Sequence, residues 1–203
     1  ALPDDAVVVD LGVGTGLSAE PFLRAGCSVI GVEPNAPMRA VGDERLAPYG
    51  RYRSVGGSAE DSTLAPACAQ LVIAGQAFHW FDPARAGAEA RRILVPGGQA
   101  ALIWNDRPAT GTAFLEGYEA LLRTYGIDYE KVSHRHVDVD AIDRFFAPTQ
   151  PAVAHFDNPR TLDRDELAAL VGSASYMPPP GHPRHAAMSA ALQRLFDAHA
   201  VDG

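Results

Sequence analysis

The stretch Ala6-Val7-Val8-Val9-Asp10-Leu11-Gly12-Val13-Gly14-Thr15-Gly16 decides how this chain is read. Its first six residues form a short β-branched run, the mark of a strand buried on both faces. Three glycines at alternate positions follow, then a helical stretch from Leu17 to Ala25 closed by Gly26. A glycine turn between strand and helix lets the backbone bend tightly and lets a ligand come close to it. Outward from this point, strands and helices alternate. Residues 27–33 read as a second buried strand, and Asn35 can cap a helix carrying Met38, Val41 and Leu46. Tyr52 to Val55 is a weak third strand and Leu71 to Ala74 a fourth. Asp82-Pro83 is a helix start, an N-cap followed by proline at the first helical position. That helix ends near Leu94, Pro96-Gly97-Gly98 turns the chain, and Ala100 to Trp104 is a fifth strand. The pattern predicts an α/β fold: a doubly wound, mostly parallel sheet with helices on both faces.

The second half reads differently. Phe114, Leu115, Tyr118, Leu121, Leu122 and Tyr125 fall on one face of a helix. Residues 126–150 are mixed and irregular, and Ala152 to Phe156 has the composition of another strand. Asp163 and Glu166 fit a capping box, with Gly172 as the stop. Met188, Leu192, Leu195, Phe196 and His199 mark a last amphipathic helix.

Composition narrows the function. The 203 residues are 47% apolar and carry 25 acids against 17 bases, a net charge of −8. That is a globular composition, and its acidity argues against a nucleic-acid partner. No apolar run is long enough to span a membrane. Two cysteines, Cys27 and Cys68, make no disulfide framework and suit buried thiols in a reducing compartment, the cytoplasm.

The glycine loop discriminates between ligands. A dinucleotide fingerprint needs glycine at positions 12, 14 and 17, but position 17 is Leu17. A phosphate-binding P-loop fails for want of Gly-Lys-Ser/Thr. Asp10 beside the loop disfavours a pyrophosphate and suits a cationic ligand. Glu33 closes the second strand, where a carboxylate can accept both ribose hydroxyls.

With these residues in order, Val8 to Gly16 resembles the first motif of class I S-adenosylmethionine-dependent methyltransferases. Val32-Glu33-Pro34-Asn35-Ala36-Pro37-Met38 resembles the family's segment after the second strand, and Gly57-Ser58-Ala59-Glu60 the loop after the third. Gln76-Ala77-Phe78-His79-Trp80-Phe81 is similar to the fourth-strand motif of a small-molecule branch that includes trans-aconitate methyltransferase. Leu94-Val95-Pro96-Gly97-Gly98 resembles the approach to the fifth strand. The likeness runs over residues 6–105.

The resemblance implies a Rossmann-like fold, S-adenosyl-L-methionine as cofactor, and roles by position. Gly12, Gly14 and Gly16 pass under the methionine part, which Asp10 orients. Glu33 binds the ribose, and Pro34 or Met38 packs near the adenine. Ala59 and Glu60 flank the adenine, Gln76 lines the cofactor floor, and His79 with Trp80 faces a small-molecule substrate. His79 is the one candidate catalytic residue, a base for acceptors that carry a proton. The acceptor expected is an oxygen or nitrogen, a carboxylate among the options. Two other readings stay open: a non-catalytic cofactor-binding or regulatory protein of the same fold, and an NAD-dependent oxidoreductase, which Leu17 disfavours.

Several features read as bland. His134, His136, Asp138 and Asp140 alternate, but no further spaced ligands support a metal, and a solvated segment is expected. Tyr118, Tyr125, Phe145 and Phe146 can line a substrate cavity or simply pack a cap helix. A single domain is expected: a cofactor-binding half at 1–105, a cap at 106–150, and a strand with helices at 151–203. Class I enzymes place helical sequence before the first strand and finish on an antiparallel strand. Only Ala1 to Asp5 precede the first strand here and the chain stops at Gly203. Either these residues are a fragment of a longer chain or the protein departs from the family at both edges; the expectation favours the fragment, without this last strand.

Overall fold

The structure is a computed structural model that describes residues 2–3, 5–129, 139–174 and 176–201. The described residues form two compact units, one within 1–105 and 137–153, the other within 106–136 and 154–203.

The first unit is a five-stranded sheet in the order β3-β2-β1-β4-β5. Its strands are β1 (Val7–Leu11), β2 (Ser28–Val32), β3 (Tyr52–Val55), β4 (Ala69–Gly75) and β5 (Leu94–Ile103), and every pairing is parallel. Helices α1 (Glu20–Arg24), α2 (Ala36–Leu46) and α3 (Pro83–Ile93) make the crossovers. Strand alternation sends Val8, Val29, Leu71 and Ile73 to one face, where they pack with Leu23 of α1 and Leu46 of α2. Val9, Leu11, Ile30, Val32 and Val72 go to the other face, against Ala86, Ala90 and Ile93 of α3. Both faces of the central strands are covered, so β1 and β2 are built almost wholly of buried positions, while the outer strands β3 and β5 carry the exposed Arg53 and Gln99. Between β3 and β4 the chain returns past β1, so the strand order reverses between β1 and β4. In open α/β sheets the ligand crevice lies at that reversal, outside the carboxyl ends of the strands.

Caps match the residue types. The Asn35 side chain accepts from Met38 N, and the Asp82 side chain accepts from Arg85 N. The first helix is shorter than its apolar pattern suggests. Residues 17–19 form turns and the helix starts at Glu20, because Leu17 is exposed and only Leu23 of α1 is buried. Strand β5 begins at Leu94, which pairs with Ala69. The Pro96-Gly97-Gly98 turn then bulges out before Gln99 pairs with Leu71.

Residues 126–150 hold a helix that their mixed composition concealed, α5 (Val139–Phe146). Ala141 and Phe145 face the sheet core one turn apart. Phe145 meets Phe78 edge-on at 5.6 Å, and its carbonyl accepts from Arg91 Nη1 at 3.0 Å.

The second unit packs α4 (Ala113–Tyr125), α6 (Arg164–Ser173) and α7 (His185–His199) around Tyr118, Leu121, Leu122, Leu167, Val171, Met188 and Leu192. Asp163 and Glu166 complete the capping box. Gly172 lies inside α6 rather than after it. Ala152 to Phe156 is not a strand. No strand among the described residues pairs with it, and Val153 and Phe156 point into solvent. Inside this unit Glu119 is buried, where it accepts from Arg107, Arg123 and the Tyr129 hydroxyl. The Arg107 guanidinium also lies 4.6 Å from the Tyr118 ring centre.

Gly87 sets how closely α5 approaches α3, since a Cβ there would run into the Phe145 carbonyl. Gly87→Ala should destabilise the protein by about 1–3 kcal/mol, the range for overpacking a tight contact. Urea unfolding checks this, and Gly50→Ala, where nothing lies within 4 Å of the added carbon, is the comparison.

Candidate functional site

The site is built at the carboxyl edge of β1, β2 and β4. The loop after β1 is held from below: Gly12 N and Val13 N both donate to Val32 O, at 2.8 and 3.2 Å. Gly12, Gly14 and Gly16 have φ of 72°, 56° and 87°, the left-handed region that glycine enters without penalty. They do not all face the same surroundings. A Cβ on Gly12 would strike Ala77 at 2.7 Å, and one on Gly16 would strike Leu46 at 2.6 Å. Those two glycines are needed for packing against the β4 loop and α2. At Gly14 the nearest neighbour is the tip of Met38, at 3.2 Å, with the next atom 4.0 Å away. Gly14 is therefore the most open of the three.

Glu33 is buried at the end of β2, and its carboxylate grips the loop. Oε2 accepts from Gly14 N at 3.0 Å and Oε1 from Asn35 N at 2.9 Å. Each oxygen keeps a lone pair for a further donor. The carbonyl of Glu33 accepts from Arg39 Nη1 at 2.8 Å.

Asp10 is fully buried. Its Oδ2 accepts from the Ser18 hydroxyl at 2.6 Å, while Oδ1 is buried with no hydrogen-bond partner. Burial pushes its pKa up to about 7; the Ser18 bond pulls it down and the nearby charge of Glu33 pushes it up again. A buried carboxylate with one oxygen unpartnered suits a cation and opposes a pyrophosphate.

The remaining predicted residues are distributed around this centre. Met38 lies half exposed over Gly14, and Pro34 is exposed. Ala59 is buried in the sheet core. Glu60 Oε1 accepts from Asp82 N at 2.8 Å, tying the loop after β3 to the start of α3. Gln76 follows β4 with φ of 56°, a conformation uncommon outside glycine, and its N donates to Ile103 O. Its side chain donates to Asn105 O at 3.3 Å. After it, a short 3₁₀ turn, Phe78–Trp80, sorts three aromatic residues. Phe78 is buried edge-on to Phe81, Trp104 and Phe145. His79 and Trp80 are left exposed with ring centres 4.8 Å apart, and Trp80 is 80% exposed. Phe145 and Phe146 belong to the sheet unit, Tyr118 and Tyr125 to the helical one. No metal-type cluster exists among the described residues; His134, His136 and Asp138 lie outside them.

Residues 9–102 match a methyltransferase domain. Among curated relatives, an uncharacterized methyltransferase of Mycobacterium tuberculosis is 38% identical over 100 residues, covering 49% of this chain and 40% of that one. An uncharacterized methyltransferase of Geobacillus kaustophilus is 30% identical over 139 residues, 66% of this chain and 64% of the relative. The chain thus spans 40% of the length of the mycobacterial relative. A putative type II methyltransferase from Anaeromyxobacter dehalogenans has a similar structure, with a TM-score of 0.65 at 20% identity, over 95% of this chain and 79% of that one. A putative S-adenosyl-L-methionine-dependent methyltransferase from Methanococcus maripaludis gives 0.55 at 20% identity, over 70% and 65%. The fold is the α/β Rossmann-like methyltransferase fold. The described helices include none long and apolar enough to cross a membrane, and both cysteines are free thiols.

Sequence reasoning missed Ser18, Gly31 and Tyr52, which surround Asp10. Nothing in their spacing announces them, because the sheet register brings them there.

The raised pKa of Asp10 has a consequence for stability. Unfolded, the group ionises near 3.8; folded, it ionises near 7. Its contribution is most favourable below about pH 4, declines as pH rises, and is lost above about pH 7. Asp10→Asn should therefore stabilise the protein more at pH 8 than at pH 5. Denaturant unfolding of both proteins at both pH values tests the sign.

Proposed function

We propose that the chain is the cofactor-binding part, with attached helices, of an S-adenosylmethionine-dependent methyltransferase acting on a small-molecule acceptor. The observation that carries this reading is the pair of buried carboxylates, Asp10 near the end of β1 and Glu33 bonded to the open Gly14, close enough to feel each other's charge. S-adenosyl-L-methionine presents a sulfonium and an ammonium to be matched by an acid, and a ribose diol to be matched by an acceptor. Asp10 Oδ1 supplies the first and the spare lone pairs of Glu33 the second. Dinucleotides fit poorly, since their pyrophosphate would meet these carboxylates.

Bound there, the cofactor supplies a methyl group already activated by positive sulfur. The chain's own task is then alignment and exclusion of water, which explains a site without a nucleophile–base dyad. Asp10 holds the charged end, Glu33 fixes the ribose, and Met38 with the Ala59–Glu60 loop bounds the adenine. Gln76 forms the floor below the methyl. His79 and Trp80 stand exposed after β4, where an acceptor enters. A carboxylate acceptor, as the likeness to the trans-aconitate branch suggests, arrives deprotonated and leaves His79 a binding role. A phenol or ammonium acceptor takes His79 as its base.

Calorimetric titration of the whole chain with S-adenosylmethionine, S-adenosylhomocysteine and NAD tests the assignment. Binding of the two adenosyl-sulfur ligands without NAD is expected; binding of neither would sink it. Turnover on a panel of carboxylates, phenols and amines then identifies the acceptor. Glu33→Gln, which keeps the side chain's shape, should weaken the cofactor by at least about tenfold, the value of a charge-assisted hydrogen bond. Gly14→Val should abolish binding while circular dichroism shows the sheet intact, because the valine needs a left-handed φ and meets Met38.

A further inference from the structure

Tyr52 opens β3 in register with Val29, and the next residue on that face of β2 is Gly31, itself paired with Asp10. Alternation therefore puts Tyr52, Gly31 and Asp10 on one face of three adjacent strands. The side chain missing at Gly31 is what admits the tyrosine: a Cβ there would lie 2.7 Å from the Tyr52 hydroxyl and 2.7 Å from Val13. That hydroxyl is buried without a hydrogen-bond partner, and so is Asp10 Oδ1. Two orphaned polar atoms, a donor and an acceptor, thus flank one glycine on neighbouring strands. Leaving either unmade is costly, and each is the chemical complement of the other.

We infer that Tyr52 is a positioning residue for Asp10: across Gly31, directly after a small shift or through one water, its hydroxyl donates to Oδ1 and favours the ionised carboxylate. The inference rests on the reading of Asp10 as the group that meets the cofactor's cationic end. Ser18 secures one oxygen of Asp10, and Tyr52 secures the other, keeping its bond when the cation arrives because a carboxylate oxygen accepts more than one donor. The phenol suits this task because burial, followed by the charges of Asp43 and Asp10, raises its pKa to about 12, so it remains a donor at every working pH. The charged groups that act on it are Asp10 from β1, Glu33 after β2, and Asp43 and Arg39 from α2. Asp43 acts more strongly on the phenol than Asp10 does, but it stands exposed, where water screens it. Arg39 opposes the acids.

Tyr52→Phe keeps the ring and removes only the hydroxyl. Two measurements are made on wild type, Tyr52→Phe and Asp43→Asn. Carboxyl-carbon NMR follows the titration of Asp10 in the ligand-free chain, and calorimetry follows S-adenosylmethionine affinity from pH 5.5 to 9. In Tyr52→Phe the Asp10 midpoint should rise by about one pH unit, the effect of one lost hydrogen bond to a charge. Affinity should fall about tenfold on the acid side of that midpoint and stay unchanged at pH 9. Asp43→Asn should move neither. An unshifted Asp10 midpoint in Tyr52→Phe overturns the proposal, as does the same shift in Asp43→Asn or an equal loss of affinity at all pH values. If wild type binds no S-adenosylmethionine, the cofactor reading fails separately, and the ligand-free titration still decides the Tyr52–Asp10 contact.

Discussion

The carboxylate of Glu33 is the tie on which the rest of the site depends. One side chain at the end of β2 accepts from Gly14 in the loop after β1 and from Asn35 at the cap of α2. The loop after β1, 19 residues away, and the cap of α2, two residues on, are thereby held to one pair of oxygens. Three of the loop's five residues are glycines, so apart from Val13, which is buried in the core, its shape comes from its backbone donors. Gly12 and Val13 donate theirs to Val32 O, and Gly14 donates its own to Glu33. Because the backbone donors consume only half of the carboxylate's capacity, the same group can brace the loop and still receive a ligand.

That arrangement costs stability elsewhere. Asp10 is buried close enough to Glu33 to feel its charge, with only a serine hydroxyl in support. A sequence selected for stability alone would place an apolar residue at Asp10, as it does at Val8 on the same strand and face. The penalty is local, and the flanking strands offset it. Val8, Val9 and Leu11 are fully buried, and β1 is hydrogen-bonded on both sides by β2 and β4. An expensive acid is tolerable at the centre of a sheet that is otherwise saturated with apolar contacts.

The alternation of strands and helices through the first hundred residues was legible because each element carries its own signal. Buried strands appear as short β-branched runs, and Asn35 and Asp82 stand where caps must stand. The glycines and the two acids were legible because loop chemistry is local. Whatever register decides stayed hidden. Tyr52 reads as an ordinary residue of a weak strand until the pairing of Gly31 with Asp10 places its hydroxyl beside the loop. Helix α5 escaped for a related reason: its apolar face, Ala141 and Phe145, is short and is completed by Gly87 on another helix. Ala152 to Phe156 shows the opposite case, strand-like composition that pairs with no described strand and leaves Val153 and Phe156 in solvent.

On the proposed function, the same distinction explains why no acceptor motif is legible. Transfer of an activated methyl group asks the protein for shape and alignment more than for particular functional groups. On the proposed reading, cofactor recognition must by contrast match fixed charges and hydroxyls, the task given there to Asp10, Glu33 and Gly14. The match to the methyltransferase domain ends at residue 102, before the helices of the second unit begin. Those helices share a core of Tyr118, Leu122 and Val171, and Glu119 of α4 pairs with Arg107 before the helix and with Arg123 one turn along it, features that specify packing. The proposed cofactor site thus lies within the first unit, and so do the residues that match the methyltransferase domain.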